Sequence, residues 1–76
     1  MMSYVITVYQ NGVTPVQEYT RTKAEAVALF REIIKDCAKV YTKGSGYRKE
    51  GTVRSGRIQF EHQVFGVDTL ITLQDN

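Results

Sequence analysis

The chain has 76 residues, 42% of them hydrophobic and 24% charged, with a formal net charge of +2. That length holds one hydrophobic core and excludes a second domain, and the composition excludes wholesale disorder. A single cysteine, Cys37, excludes an internal disulfide, and a single histidine, His62, excludes a Cys/His zinc set, so neither a metal nor another cofactor is expected.

No apolar stretch approaches the length of a membrane span, and no signal-peptide core opens the chain. The expected setting is cytoplasmic, with no membrane partner. Residues 3–10 read SYVITVYQ, rich in β-branched and aromatic side chains, and Asn11-Gly12 follows. Asn-Gly is a strong hairpin signal because both residues tolerate positive φ. The pattern predicts a β-hairpin over 3–19. A two-residue type I′ turn would set Gln10 against Val13, Val8 against Pro15, Ile6 against Gln17 and Tyr4 against Tyr19. Pro15 has no ladder donor, which places the second strand at a sheet edge.

Thr22-Lys23-Ala24-Glu25 matches a capping box, in which Thr22 caps a free amide and Glu25 reaches back to the cap residue. A helix over 23–43 follows, stopped by Gly44. At about 100° per residue, Ala26, Val27, Leu29, Phe30, Ile33, Ile34, Cys37, Ala38, Val40 and Tyr41 fall on one half of the wheel. An arc that wide belongs against a sheet.

Residues 44–57 read as a basic, glycine-rich connection, and strands are expected over 52–65 and 69–73. Ile58, Phe60, His62 and Val64 share one face of the first. A Ser55-Gly56 turn would set Arg54 opposite Arg57 and Val53 opposite Ile58, and Gly66-Val67-Asp68 would form a second turn. The order is β-β-α-β-β, with room for an extra strand between Gly46 and Arg54. The fold class is therefore α+β: a single small domain, an antiparallel sheet with one long amphipathic helix on one face. The other face would carry Val5, Thr7, Tyr9 and Val16, with Phe65 and Leu70. Such a patch marks a partner surface or a homodimer interface, with Val5, Tyr9, Val16 and Tyr19 as its candidate residues.

Charge is concentrated in residues 39–57, which carry Lys39, Lys43, Arg48, Lys49, Arg54 and Arg57 against one acid, Glu50. Arg31, Lys35, Lys39 and Lys43 recur every fourth residue, a basic stripe leading toward the same segment. With Tyr41 or Tyr47 available to stack on a base, the set could track a nucleic-acid backbone. The same charges also have structural uses: they complement the helix macrodipole, pair with Glu32 and Asp36, or protect a sheet edge. Gly44-Ser45-Gly46 lacks the spacing of a phosphate-binding loop.

Catalytic chemistry finds little support. His62 alternates with core residues and Glu61 points away from it, while Ser3, Ser45 and Ser55 have no local base. Cys37 lies on the apolar arc as a small buried hydrophobe with a raised thiol pKa. These residues point to a non-enzymatic binding module with a polyanion partner, nucleic acid in the first instance. Its candidate residues are Lys35, Lys39, Lys43, Tyr47, Arg48, Lys49, Arg54 and Arg57. A dimer across the uncovered face would double that basic surface. The alternative is an interaction or inhibitor protein that docks through the open sheet face, with the bases steering it toward an acidic partner. In size and fold class alone, the chain is similar to small accessory proteins of phages and mobile elements, some of which inhibit host machinery.

Overall fold

Five antiparallel strands and one helix account for residues 3–41 and 46–75, the residues that the computed structural model describes. The strands are β1 (Tyr4–Gln10), β2 (Val13–Thr20), β3 (Tyr47–Thr52), β4 (Arg57–His62) and β5 (Gly66–Asp75), and α1 (Lys23–Val40) lies between β2 and β3. The sheet order is β2-β1-β5-β4-β3. This is the expected α+β architecture, and the extra strand is β3. Strand β2 is an edge, as Pro15 requires.

The helix begins where its cap chemistry places it. Thr22 accepts the Glu25 amide at 3.2 Å, and its hydroxyl donates to the Glu25 carboxylate at 2.9 Å. Glu25 thus reaches back to the cap hydroxyl. Ala26, Phe30 and Ile34 are buried beneath the helix, and Leu29, Ile33, Cys37 and Tyr41 pack partly around them. Ala38 and Val40, on the expected apolar arc, are exposed. Alternate residues of three strands complete the core: Ile6 from β1, Ile58 and Phe60 from β4, Ile71 from β5. Each fully buried side chain of this size contributes about 1.5–3 kcal/mol.

Register departs from expectation at three places, each for a local reason. At the first hairpin no residue other than glycine has positive φ, so the turn is not type I′; Gly12 alone takes φ 75°. Asn11 instead turns toward β5, its amide donating to Asp68 O at 3.2 Å and its Nδ2 to Val67 O at 3.1 Å. Gln10 still faces Val13, but Val8 faces Val16, Ile6 faces Glu18 and Tyr4 faces Thr20. Thr14 and Pro15 together oppose Tyr9, a bulge that accommodates the missing proline donor. Because side chains alternate, the one-residue slip exchanges the faces of β2.

The second departure is the β3–β4 turn, which spans residues 53–56, so that Thr52 faces Arg57 and Gly51 faces Ile58. Arg54 does not oppose Arg57. Thr52 and Ser55 hold this turn: the Ser55 amide donates to Thr52 Oγ1 at 3.1 Å and its hydroxyl to Thr52 O at 2.8 Å. Gly56 N then closes onto Val53 O at 3.1 Å while the Val53 side chain packs on the core. Much of the expected 44–57 connection is therefore strand.

Third, β4 ends at His62 and the next turn is residues 63–65, so Val64 is in the turn and Gly66-Val67-Asp68 belongs to β5. His62 Nδ1 accepts the amides of Val64 and Phe65 at 3.1 and 3.3 Å, which closes the turn early. A register shift beside Phe60 then leaves Asp68 as an extra residue.

Candidate binding surfaces

The strand pairings separate the sheet into two faces. The helix side carries Tyr4, Ile6 and Val8 of β1 and Val16 and Glu18 of β2. Thr69, Ile71 and Leu73 of β5, Ile58, Phe60 and His62 of β4, and Tyr47 and Lys49 of β3 lie on the same side. No described element covers the opposite side.

That open face is ordered in rows across the strands. Tyr19, Val5 and Gln74 form one; Gln17, Thr7, Thr72, Arg57 and Thr52 form the next. Tyr9, Leu70, Gln59 and Glu50 make the third, and Val67, Glu61 and Arg48 the last. Val5 and Thr7 of β1 are 8% and 4% exposed although no described element lies above them. Tyr19 and Tyr9 stand out at 59% and 43%. Of the expected interface residues, Val5, Tyr9 and Tyr19 share this face. Val16 does not: the bulge turns it to the helix side, where it remains 53% exposed. Phe65, also expected here, lies in the β4–β5 turn and stacks on His62.

Three of the charges on the open face cluster at one corner, where one arginine stands between two carboxylates. Arg48 sits 2.8 Å from Glu50 and 3.5 Å from Glu61, and Gln59 donates to both carboxylates at 3.2 and 3.4 Å. Arg57 is the one basic residue of this face that has no such ion pair among the described residues.

The candidate polyanion residues do not converge. Lys49 follows Arg48 along β3 and points to the other side of the sheet. Lys35 and Lys39 are exposed on the helix, Lys39 3.7 Å from Asp36. Arg54 is in the turn over 53–56, Arg57 is on the open face, and Lys43 lies outside the described residues. Tyr47 is part of an aromatic series and is not a free stacking platform. Its ring lies 4.4 Å from Tyr41 and 4.9 Å from His62; Tyr41 stacks on Phe60 at 4.7 Å and His62 on Phe65 at 4.8 Å. The series runs from the buried Phe60 to Phe65, which is 81% exposed.

Two reactive groups are occupied by the fold. The His62 Nδ1 that a general base would use is the acceptor of two backbone amides. Burial pushes the Cys37 thiol up from its ordinary pKa, and the Asp36 carboxylate adds to the rise. Among the described residues no three His, Cys, Asp or Glu side chains cluster as metal ligands, and no helix is long and apolar enough to cross a membrane.

Sequence reasoning missed Gln17, Gln59, Thr72 and Gln74, the uncharged polar residues that make up much of the open face. Gln59, Thr72 and Gln74 alternate plainly with the core residues of β4 and β5, whereas the face of Gln17 becomes readable only once the β2 bulge is placed. Comparison with protein-family models, curated proteins and solved structures finds no match to this chain.

Proposed function

We propose that this chain is a non-enzymatic binding protein that docks on another protein through the open face of its sheet. The observation that carries the reading is the make-up of that face: exposed Tyr9 beside Leu70 and exposed Tyr19 beside Val5, among uncharged Thr and Gln side chains, with Arg48, Glu50 and Glu61 paired with one another at one corner. Tyrosine combines contact area with a polar tip and loses few rotamers on binding. Threonine and glutamine supply hydrogen bonds without the desolvation cost of a charge. The partner that fits is a protein surface of mixed apolar and hydrogen-bonding character.

A nucleic-acid backbone fits this face less well. Phosphate binding draws its affinity from several cations acting together, and here Arg48 is engaged by two carboxylates while Lys49 faces the other way.

The test is affinity capture from the source cell with three forms of the protein: unaltered, Tyr9→Ala with Tyr19→Ala, and Lys35→Ala with Lys39→Ala and Lys49→Ala. A protein retained by the first and third and lost with the second is the expected result. Loss of two tyrosine contacts should weaken binding by at least tenfold, about 1.4 kcal/mol. Capture that survives the tyrosine pair, or nucleic-acid binding at low salt that the lysine set abolishes, overturns the proposal.

A further inference from the structure

On the helix side, a groove of about 410 Å³ lies between α1 and the β3–β4 turn. Its apolar lining is Tyr4, Val27, Val53 and Leu73. Three cations share it, Lys23 and Arg31 from the helix and Arg54 from the turn, with Asp75 as the only lining carboxylate among the described residues. Lys23, Val27 and Arg31 are four residues apart and so form one row along the helix. None of the three cations belongs to a described ion pair.

The turn that presents Arg54 is well tied. Besides the Thr52–Ser55 bonds, Leu73 N donates to Gly56 O at 2.8 Å, which fastens the turn to β5. Arg54 is thus carried by a braced element. Like charges gathered around one apolar surface repel each other, and an anion among them removes that repulsion. The apolar lining disfavours a bare, strongly hydrated ion and favours a ligand with an apolar body. A volume of this size is within the range of small-molecule sites.

We propose that this groove binds an amphipathic anion, a small molecule with an apolar body and a carboxylate or phosphate end. The body lies along Val27, Val53, Leu73 and the Tyr4 ring. The anionic end meets Arg54 and Arg31, with Lys23 extending the positive field. The site is on the opposite side of the sheet from Tyr9 and Tyr19, so it stands or falls separately from the docking face.

Amide chemical-shift titration of the intact chain tests it with five probes: octanoate, octyl phosphate, octanol, inorganic phosphate and a short single-stranded oligonucleotide. Octanoate and octyl phosphate are expected to shift amides in the Lys23 to Arg31 stretch and at residues 53–56, and the tighter of the two identifies the headgroup. Octanol and inorganic phosphate, each half of the ligand, should bind at least tenfold more weakly. Arg54→Ala and Arg31→Ala, both at exposed positions, should each weaken binding about tenfold with the fold intact; Tyr9→Ala should leave it unchanged. Octanol binding as tightly as octanoate, shifts indifferent to Arg54→Ala, no response at millimolar ligand, or a stronger response to the oligonucleotide each overturn the assignment.

Discussion

Replacing Tyr41 by phenylalanine removes one oxygen from the point where the end of the helix meets the sheet. Tyr41 is the C-cap of α1, its amide donating to Cys37 O at 3.4 Å. Its hydroxyl donates to the Asp68 carboxylate and shares a hydrogen bond with Thr69 Oγ1, a fully buried residue. With the phenolic proton given to Asp68, Thr69 is the donor of the second bond. Phenylalanine retains the stacking on Phe60, so the substitution isolates the hydroxyl. It leaves the buried Thr69 hydroxyl without this acceptor and Asp68 without a donor. Stranding a buried polar group costs about 1–3 kcal/mol, and water reaches the half-buried Asp68, so a loss of about 1–2 kcal/mol is expected. In a domain this small each kcal/mol lowers the melting temperature by roughly 4–8 °C.

The same hydroxyl has a second, independent signature. Burial pushes the Tyr41 pKa up to about 12, and the hydrogen bond to Asp68 acts in the same direction. A raised pKa means that the folded state favours the neutral phenol. The resulting stability is fully present below the unfolded tyrosine pKa of about 10 and is lost as pH climbs through the folded value. Urea denaturation of both proteins, at neutral pH and in steps from pH 10 to 12, measures both effects. The original chain should lose its advantage over Tyr41→Phe across that window, while ionisation of the other tyrosines is common to both. Equal stability at neutral pH, or parallel curves above pH 10, would refute the reasoning.

Other substitutions separate the causes of stability. A Cβ at Gly51, where φ is 100°, would sit 2.1 Å from Arg57 O, so Gly51→Ala must part the β3–β4 ladder; a loss of about 3 kcal/mol or more is expected in thermal denaturation. Gly12→Ala meets nothing within 4 Å at φ 75°. It should cost only the conformational strain, about 1 kcal/mol; equal losses at the two positions would contradict the steric account. Thr22→Ala removes the helix cap and should cost about 1 kcal/mol, read as a lower urea midpoint with an unchanged slope. Cys37 should react with a disulfide reagent more slowly at neutral pH than free cysteine does, and catch up in urea. Equal rates without denaturant would show that burial does not hold the thiol up.

What could be read from the sequence follows from how local each cause is. The helix has its own period, its own cap and enough length for both to be unmistakable. The β3 sequence YRKEGT has almost no strand character of its own and extends because β4 pairs with it. Faces were harder still. The bulge opposite Tyr9 accompanies a turn whose Asn11 bonds to the start of β5, and the shift beside Phe60 follows a turn closed by His62. The Asn11 bonds are long-range and the His62 bonds are a side-chain cap on a turn, neither of them legible in a strand pattern. Each irregularity moves every later residue of its strand to the other face. The basic segment failed as one surface for a simpler reason: neighbours such as Arg48 and Lys49 on a strand point opposite ways. Lys23 and Arg31 share a row of the helix, but Arg54 comes from a turn far along the chain, so their shared groove was not visible in any window.

Arg54 and Arg57 bring these points to a direct test. Expected as a facing pair, they are placed by the four-residue turn on different surfaces, Arg54 beside the helix-side groove and Arg57 in the open-face row of Thr7 and Thr72. The turn carries Arg54 to the groove while Arg57, a strand residue, reaches only the open face, so the two charges act in separate environments. Arg57→Ala should weaken capture of the protein partner and leave the octanoate titration unmoved. Arg54→Ala should do the reverse, weakening octanoate about tenfold with capture intact. If the two substitutions act alike in both assays, the charges work as one anion-binding patch after all, and the division of the molecule into a docking face and a ligand groove is wrong.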